Sequence, residues 1–170
     1  MKARHVSLVV LLPLVASLAC GSDNSTTPSN VQGNFTVAVT NGTDTCGFAT
    51  WTDGQSSSNI PVAVTQNGNS ATATVTGLQG TFLNTVLGSN VFSGAVAGAE
   101  LTLELHGTRS FTQGACAYTI VATLKANAEG DVLRGTIDYA PDTNSSADCA
   151  SLATCAAHQD FNGTRPPTTN

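Results

Sequence analysis

A period of two in hydrophobicity restricts the fold of this chain more than any other feature. Phe35, Val37 and Val39 alternate with Thr36, Ala38 and Thr40, and Ile60, Val62 and Val64 with Pro61, Ala63 and Thr65. Leu101, Leu103 and Leu105 alternate with Thr102, Glu104 and His106. The rhythm returns in Tyr118, Ile120, Ala122 and Leu124, and again in Leu133, Gly135, Ile137 and Tyr139. Successive β side chains point to opposite faces, so each run predicts a strand with one face on a core and a threonine-rich face in water. Weaker runs at residues 46–51, 71–76, 91–97 and 161–165 extend the pattern. Sustained helical periodicity is missing, although the Ala-rich stretch 146–157 admits a helix.

Short turn-forming segments separate the runs: Asn41-Gly42, Asn67-Gly68-Asn69, Gly98-Ala99 and Ala128-Glu129-Gly130. Each predicts a hairpin between neighbours. An all-β antiparallel meander of roughly eight to ten short strands must close into a small barrel or fold as a β-sandwich. Short connections favour the barrel, because Greek-key crossovers need longer ones. The expected domain spans residues 31–165, followed by a polar tail, 166–170. Its opening Gly33-Asn34-Phe35 resembles the Gly-x-Trp that starts the first strand of lipocalins and related calycins, with Phe in place of Trp. The resemblance covers these few residues and implies a barrel that holds a small apolar ligand.

Ahead of the domain, Lys2 and Arg4 precede an apolar stretch at 6–18. That stretch is too short for a membrane-spanning helix, which needs roughly 20 apolar residues, and reads as a signal peptide over 1–19. It ends in Ala16-Ser17-Leu18-Ala19-Cys20, followed by Gly21-Ser22-Asp23. The junction resembles the lipobox of bacterial lipoproteins, with Ser17 and Leu18 departing from the preferred residue types. The resemblance implies cleavage before Cys20, a lipid on that residue and sorting to the outer membrane. Residues 20–30 are then the anchor and a flexible polar tether. The alternative is ordinary cleavage after Ala19, leaving Cys20 a free thiol.

From Cys20 onward, eleven acidic residues face four basic ones, Arg109, Lys125, Arg134 and Arg165. This balance provides no electrostatic footprint for nucleic acid and no attraction to anionic lipid heads. Membrane attachment is therefore expected through the acyl chains alone. A transmembrane barrel would need an apolar outer band with aromatic girdles, whereas the outer faces here are threonine and aromatics make up 5% of the chain.

Beyond Cys20 stand Cys46, Cys116, Cys149 and Cys155, an even number in a chain read as exported, which predicts two disulfides. Four cysteines allow three connectivities. The expected pairs are Cys149–Cys155, closing a short irregular loop, and Cys46–Cys116, joining distant strands from inward-facing positions. Cys149, Cys155 and His158, flanked by Asp148 and Asp160, also form a possible zinc set. Its Cys spacing is wider than the usual two to four residues, and an oxidising compartment favours the disulfide reading. No metal or other cofactor is expected.

Catalytic signals are sparse. Thr102, Glu104 and His106 share an outer strand face, while Asp131 and Asp138 fall on opposite faces and do not form a glycosidase pair. Nucleophile-elbow, zinc-protease and phosphate-loop motifs are lacking. Asn-x-Ser/Thr sequons at Asn24, Asn34, Asn41, Asn144 and Asn162 reflect Asn/Thr-rich composition. The expectation is an envelope lipoprotein that is not an enzyme, whose β-domain holds a small apolar ligand. The alternative is a structural or interaction protein of the envelope without one. Phe35, Leu103, Ile120, Ile137 and Tyr139 could equally fill the barrel, since eight-stranded barrels occur both filled and hollow.

Overall fold

The computed structural model describes residues 27–167. The expected signal peptide, Cys20, most of the expected tether and the last three residues lie outside the described residues.

Nine strands form one antiparallel sheet: β1 (Gly33–Asp44), β2 (Ser56–Asn67), β3 (Ser70–Val75), β4 (Val91–Ala97), β5 (Glu100–His106), β6 (Phe111–Gln113), β7 (Cys116–Glu129), β8 (Val132–Thr143) and β9 (Ala157–Thr164). Pairing of β9 with β1 and of β5 with β7 closes eight of them into a barrel, and β6 is an extra strand on β7. Full closure removes the exposed sheet edges that a sandwich would retain. The inward sets are those of the period-two pattern: Phe35 and Val37, Ile60 and Val64, Leu101 to Leu105 in alternation, Ile120, Ala122 and Leu124, Leu133 and Ile137 are all buried.

Chain direction divides the barrel into two ends. The tight turns β2–β3, β4–β5 and β7–β8 lie at the lower end, where β1 also begins and β9 stops. The longer connections β1–β2, β3–β4, β5–β7 and β8–β9 all lie at the upper end. Asn59, with φ 59°, sits where the β1–β2 register shifts between Val37 and Val39, and this bulge bends β2. Gly94 and Gly135 mark close strand approaches. A Cβ at either would fall on the facing backbone, the Thr102 carbonyl or the Lys125 carbonyl.

Several sequence expectations are overturned. Asn41-Gly42 is no hairpin turn: β1 runs through it to pair with β9, and its next connection begins after Asp44. Long-range pairing with Gln159 and Ala157 outweighs the local turn preference. Residues 46–51 form a loop, not a strand, with Asp44 accepting backbone hydrogen bonds from Cys46, Gly47 and Phe48. A helix, α1 (Gly77–Val86), occupies the β3–β4 connection although two glycines and two threonines make it a poor helix former. Packing of Leu83 and Val86 against the barrel core holds it in place. The stretch 146–157 contains only a short 3-10 turn, Ala147–Leu152.

The disulfide pairing also differs from expectation. Two bridges are present, but they join Cys46 to Cys155 and Cys116 to Cys149. The β8–β9 connection folds across the upper end, carrying Cys149 to the start of β7 and Cys155 to the β1–β2 loop. Cys116 is fully buried, as its strand parity required, while Cys46 lies in a loop to which parity does not apply.

Candidate functional site

The barrel is hollow over part of its length. A cavity of about 520 Å³ runs along its axis, lined by inward residues of all eight barrel strands and by α1. That volume falls within the roughly 300–1,000 Å³ typical of small-molecule sites. Phe35, Ile137 and Tyr139 form part of its wall, whereas Leu103 and Ile120 are packed away outside the lining. The filled and hollow alternatives thus divide the same barrel.

Ala49, Thr50, Gln55, Ser57 and Phe82 belong to the lining and are also exposed. The cavity therefore reaches the surface between the β1–β2 loop and α1. Phe82 is 52% exposed and Leu78, one turn earlier, 78%. On the other side of the opening, Phe48, Trp51 and Tyr139 pack together, with ring centroids 5.9 Å (Phe48–Trp51), 6.3 Å (Phe48–Tyr139) and 5.9 Å (Trp51–Tyr139) apart. The two contacts to Tyr139 are edge-to-face, a favoured arrangement of aromatic quadrupoles. Trp51 Nε1 donates to the Gly42 carbonyl at 2.8 Å, fixing the indole to the end of β1. Extending β1 through Asn41-Gly42 thus creates the anchor for the cavity's rim.

Below these rings lies a short polar chain. Tyr139 Oη donates to Gln159 Oε1 at 2.7 Å, and Gln159 Nε2 donates to Asn41 Oδ1 at 2.7 Å. The three side chains come from β8, β9 and β1, adjacent strands whose register puts Asn41 beside Gln159. Burial raises the Tyr139 phenol far above its ordinary pKa, so it stays protonated and neutral. Tyr139 carried a core parity in the sequence. Asn41 was hidden by its apparent turn and Gln159 by the weak pattern ahead of Phe161.

The lower end is closed. Val31 is buried beneath the barrel, and its backbone N–H donates to Gln66 at 2.8 Å. The Arg165 side chain, 7% exposed, lies over the Phe35 ring with 5.4 Å from guanidinium carbon to ring centroid. It donates to Asp131 at 2.9 Å and to the backbone carbonyls of Asn30, Gln32 and Gly130. Sequence alone showed Arg165 only as a scattered cation.

The remaining candidates separate. Cys149 and Cys155 belong to different disulfides, which removes their thiolates from any zinc set, and no group of three His, Cys, Asp or Glu suited to a metal occurs among the described residues. His158 lies on the outer barrel face, 2.7 Å from Asp138 and 3.5 Å from Asp160. Its hydrogen bond to Asp138 raises its pKa, partial burial lowers it, and the charges of Asp138 and Asp160 add to the rise. Glu104 and His106 form an exposed pair at 3.1 Å, while Asp131 serves Arg165 and Asp138 serves His158. No protein-family model, curated protein or solved structure matches this chain.

Proposed function

We propose that this chain is an exported, lipid-anchored barrel of a bacterial envelope that holds a small apolar ligand without transforming it. The carrying observation is the cavity of about 520 Å³, walled mainly by aliphatic and aromatic side chains and reaching the surface beside α1. An empty apolar volume forfeits the dispersion contacts that a filled core would make, so an occupant regains them. Among the described lining residues Tyr139 is the one titratable side chain, and burial keeps it neutral. That wall suits retention better than acid–base or nucleophilic chemistry. Cys20, in its lipobox-like setting, supports anchoring to the outer membrane.

Trp51 is the chain's sole tryptophan and lines the cavity, so its emission should report an occupant. Titration with the neutral apolar probe N-phenyl-1-naphthylamine should give a saturable change. Ala73→Phe, which adds bulk inside the wall, should abolish the change while the domain stays folded. No saturable response from the native protein, together with a ligand-free organic extract by mass spectrometry, would reject the reading. Cys20→Ala should move the protein out of the detergent phase, and unchanged partitioning would reject the anchor.

A second reading, an interaction protein of the envelope without a small-molecule ligand, draws on exposed Leu78 and Phe82. It predicts that Leu78→Ser, a change outside the cavity lining, abolishes co-purification of a stoichiometric partner and leaves probe binding intact.

A further inference from the structure

We infer that the occupant is an uncharged amphiphile, an elongated apolar body whose polar end, a hydroxyl, ether or ester oxygen, sits on the Tyr139–Gln159–Asn41 chain. The inference rests on the binding reading above and specifies its ligand class.

The cavity is chemically graded. Phe35, Val64, Phe92, Leu101, Leu124 and Leu133 make its deeper wall wholly apolar. The polar lining residues, among them Asn41, Gln79 of α1, Tyr139 and Gln159, gather towards the upper end. A ligand matching this gradient has one apolar body and one polar terminus.

Charge decides what that terminus can be. Among the described lining residues there is no Asp, Glu, Lys, Arg or His. A carboxylate or ammonium drawn beneath the rings would lose hydration without gaining a counter-ion, at a cost of several kcal/mol. The cations lie elsewhere: Arg165 is committed at the closed end to Asp131 and three carbonyls, and Arg109, Lys125 and Arg134 are exposed. Phe48, Trp51 and Tyr139 pack against one another at 5.9–6.3 Å and do not form an open cage around a cation.

The hydrogen-bond inventory points the same way. In the chain from Tyr139 to Asn41, the phenol oxygen can still accept and the two amides still have N–H groups to donate. Exchanging oxygen and nitrogen in both amides reverses the chain, yet leaves one donor end and one acceptor end without charge. No buried side-chain nitrogen or oxygen lacks a partner among the described residues. The Asn41 amide nitrogen, which makes no internal hydrogen bond, is therefore accessible, on a residue that lines the cavity. A neutral oxygen function can engage either end and leaves no charge unpaired.

The test uses probes of one medium alkyl chain length at about pH 8: the alkane, the alcohol, the methyl ester, the carboxylate and the trimethylammonium salt. Each competes with N-phenyl-1-naphthylamine in the folded domain. The alcohol and ester should bind at least about tenfold more tightly than either ion, equivalent to roughly 1.4 kcal/mol. Tyr139→Phe should weaken the alcohol severalfold while sparing the alkane, and Asn41→Leu repeats the test from the other end of the chain. Equal or tighter binding of either ion would overturn the inference while leaving the binding function intact. Equal loss of alcohol and alkane in both variants would do the same. Failure of every member and of the naphthylamine probe would overturn both.

Discussion

At the lower end of the barrel one guanidinium and one plug residue make the closure, whereas the upper end is held by two disulfides among long loops. Below, Arg165 ties β9 to the β7–β8 turn and to the segment before β1, with Val31 packed beneath. Above, the cavity reaches the surface, so the loops have less packed core to rest on. Cys46–Cys155 and Cys116–Cys149 join the β1–β2 loop, the start of β7 and the β8–β9 connection. The contrast teaches that an end kept open for an occupant gives up packing energy, and a covalent bridge holds its loops without filling the space.

Breaking the upper end should have the largest effect. The Cys46–Cys155 bridge spans a sequence separation of 109 and Cys116–Cys149 one of 33. In the chain-entropy model these loops correspond to about 5 and about 4 kcal/mol. Urea unfolding should therefore show Cys46→Ala/Cys155→Ala as the less stable double variant, by about 1 kcal/mol. A reversed order would mean that burial of Cys116 counts for more than loop length. Non-reducing peptide mapping should recover the same two pairs.

Breaking the lower end should cost somewhat less. Arg165→Met keeps part of the packing over Phe35 but leaves Asp131 and the carbonyls without their donor. Loss of a mostly buried ion-pair partner places the cost at about 3 kcal/mol. Urea unfolding should register that loss with little change in probe affinity at the opposite end. A large affinity change with little loss of stability would show that the two ends are not independent.

The smallest effect belongs to the outer wall. His158 has a folded pKa raised above its unfolded value, chiefly by the hydrogen bond to Asp138. Its stabilising contribution is therefore fully present below about pH 6.5 and is lost as pH rises through the higher folded pKa. With His158 38% and Asp138 53% exposed, solvent screening limits the contribution to under about 1 kcal/mol. The His158→Gln difference from native, followed by urea midpoints against pH, should shrink towards zero at high pH. A difference that grows with pH would contradict the sign.

The alternation of apolar residues with threonine already specified a β meander, the inward faces of β1, β2, β5, β7 and β8, and three of the tight turns. Two disulfides were legible in an even set of four cysteines. These features are local or additive: strand parity follows from the backbone, and turn preference follows from a few adjacent residues. Partner choice is a different kind of quantity. Which cysteine meets which was decided by the β8–β9 connection folding across the barrel, and α1 exists because core packing overrides weak propensity. Asn41 became a cavity residue only because β9 offered it a strand partner. The polar chain from Tyr139 to Asn41 and the Arg165 clamp assemble residues far apart in sequence. Their geometry depends on closure of the barrel, which brings the first and last strands side by side.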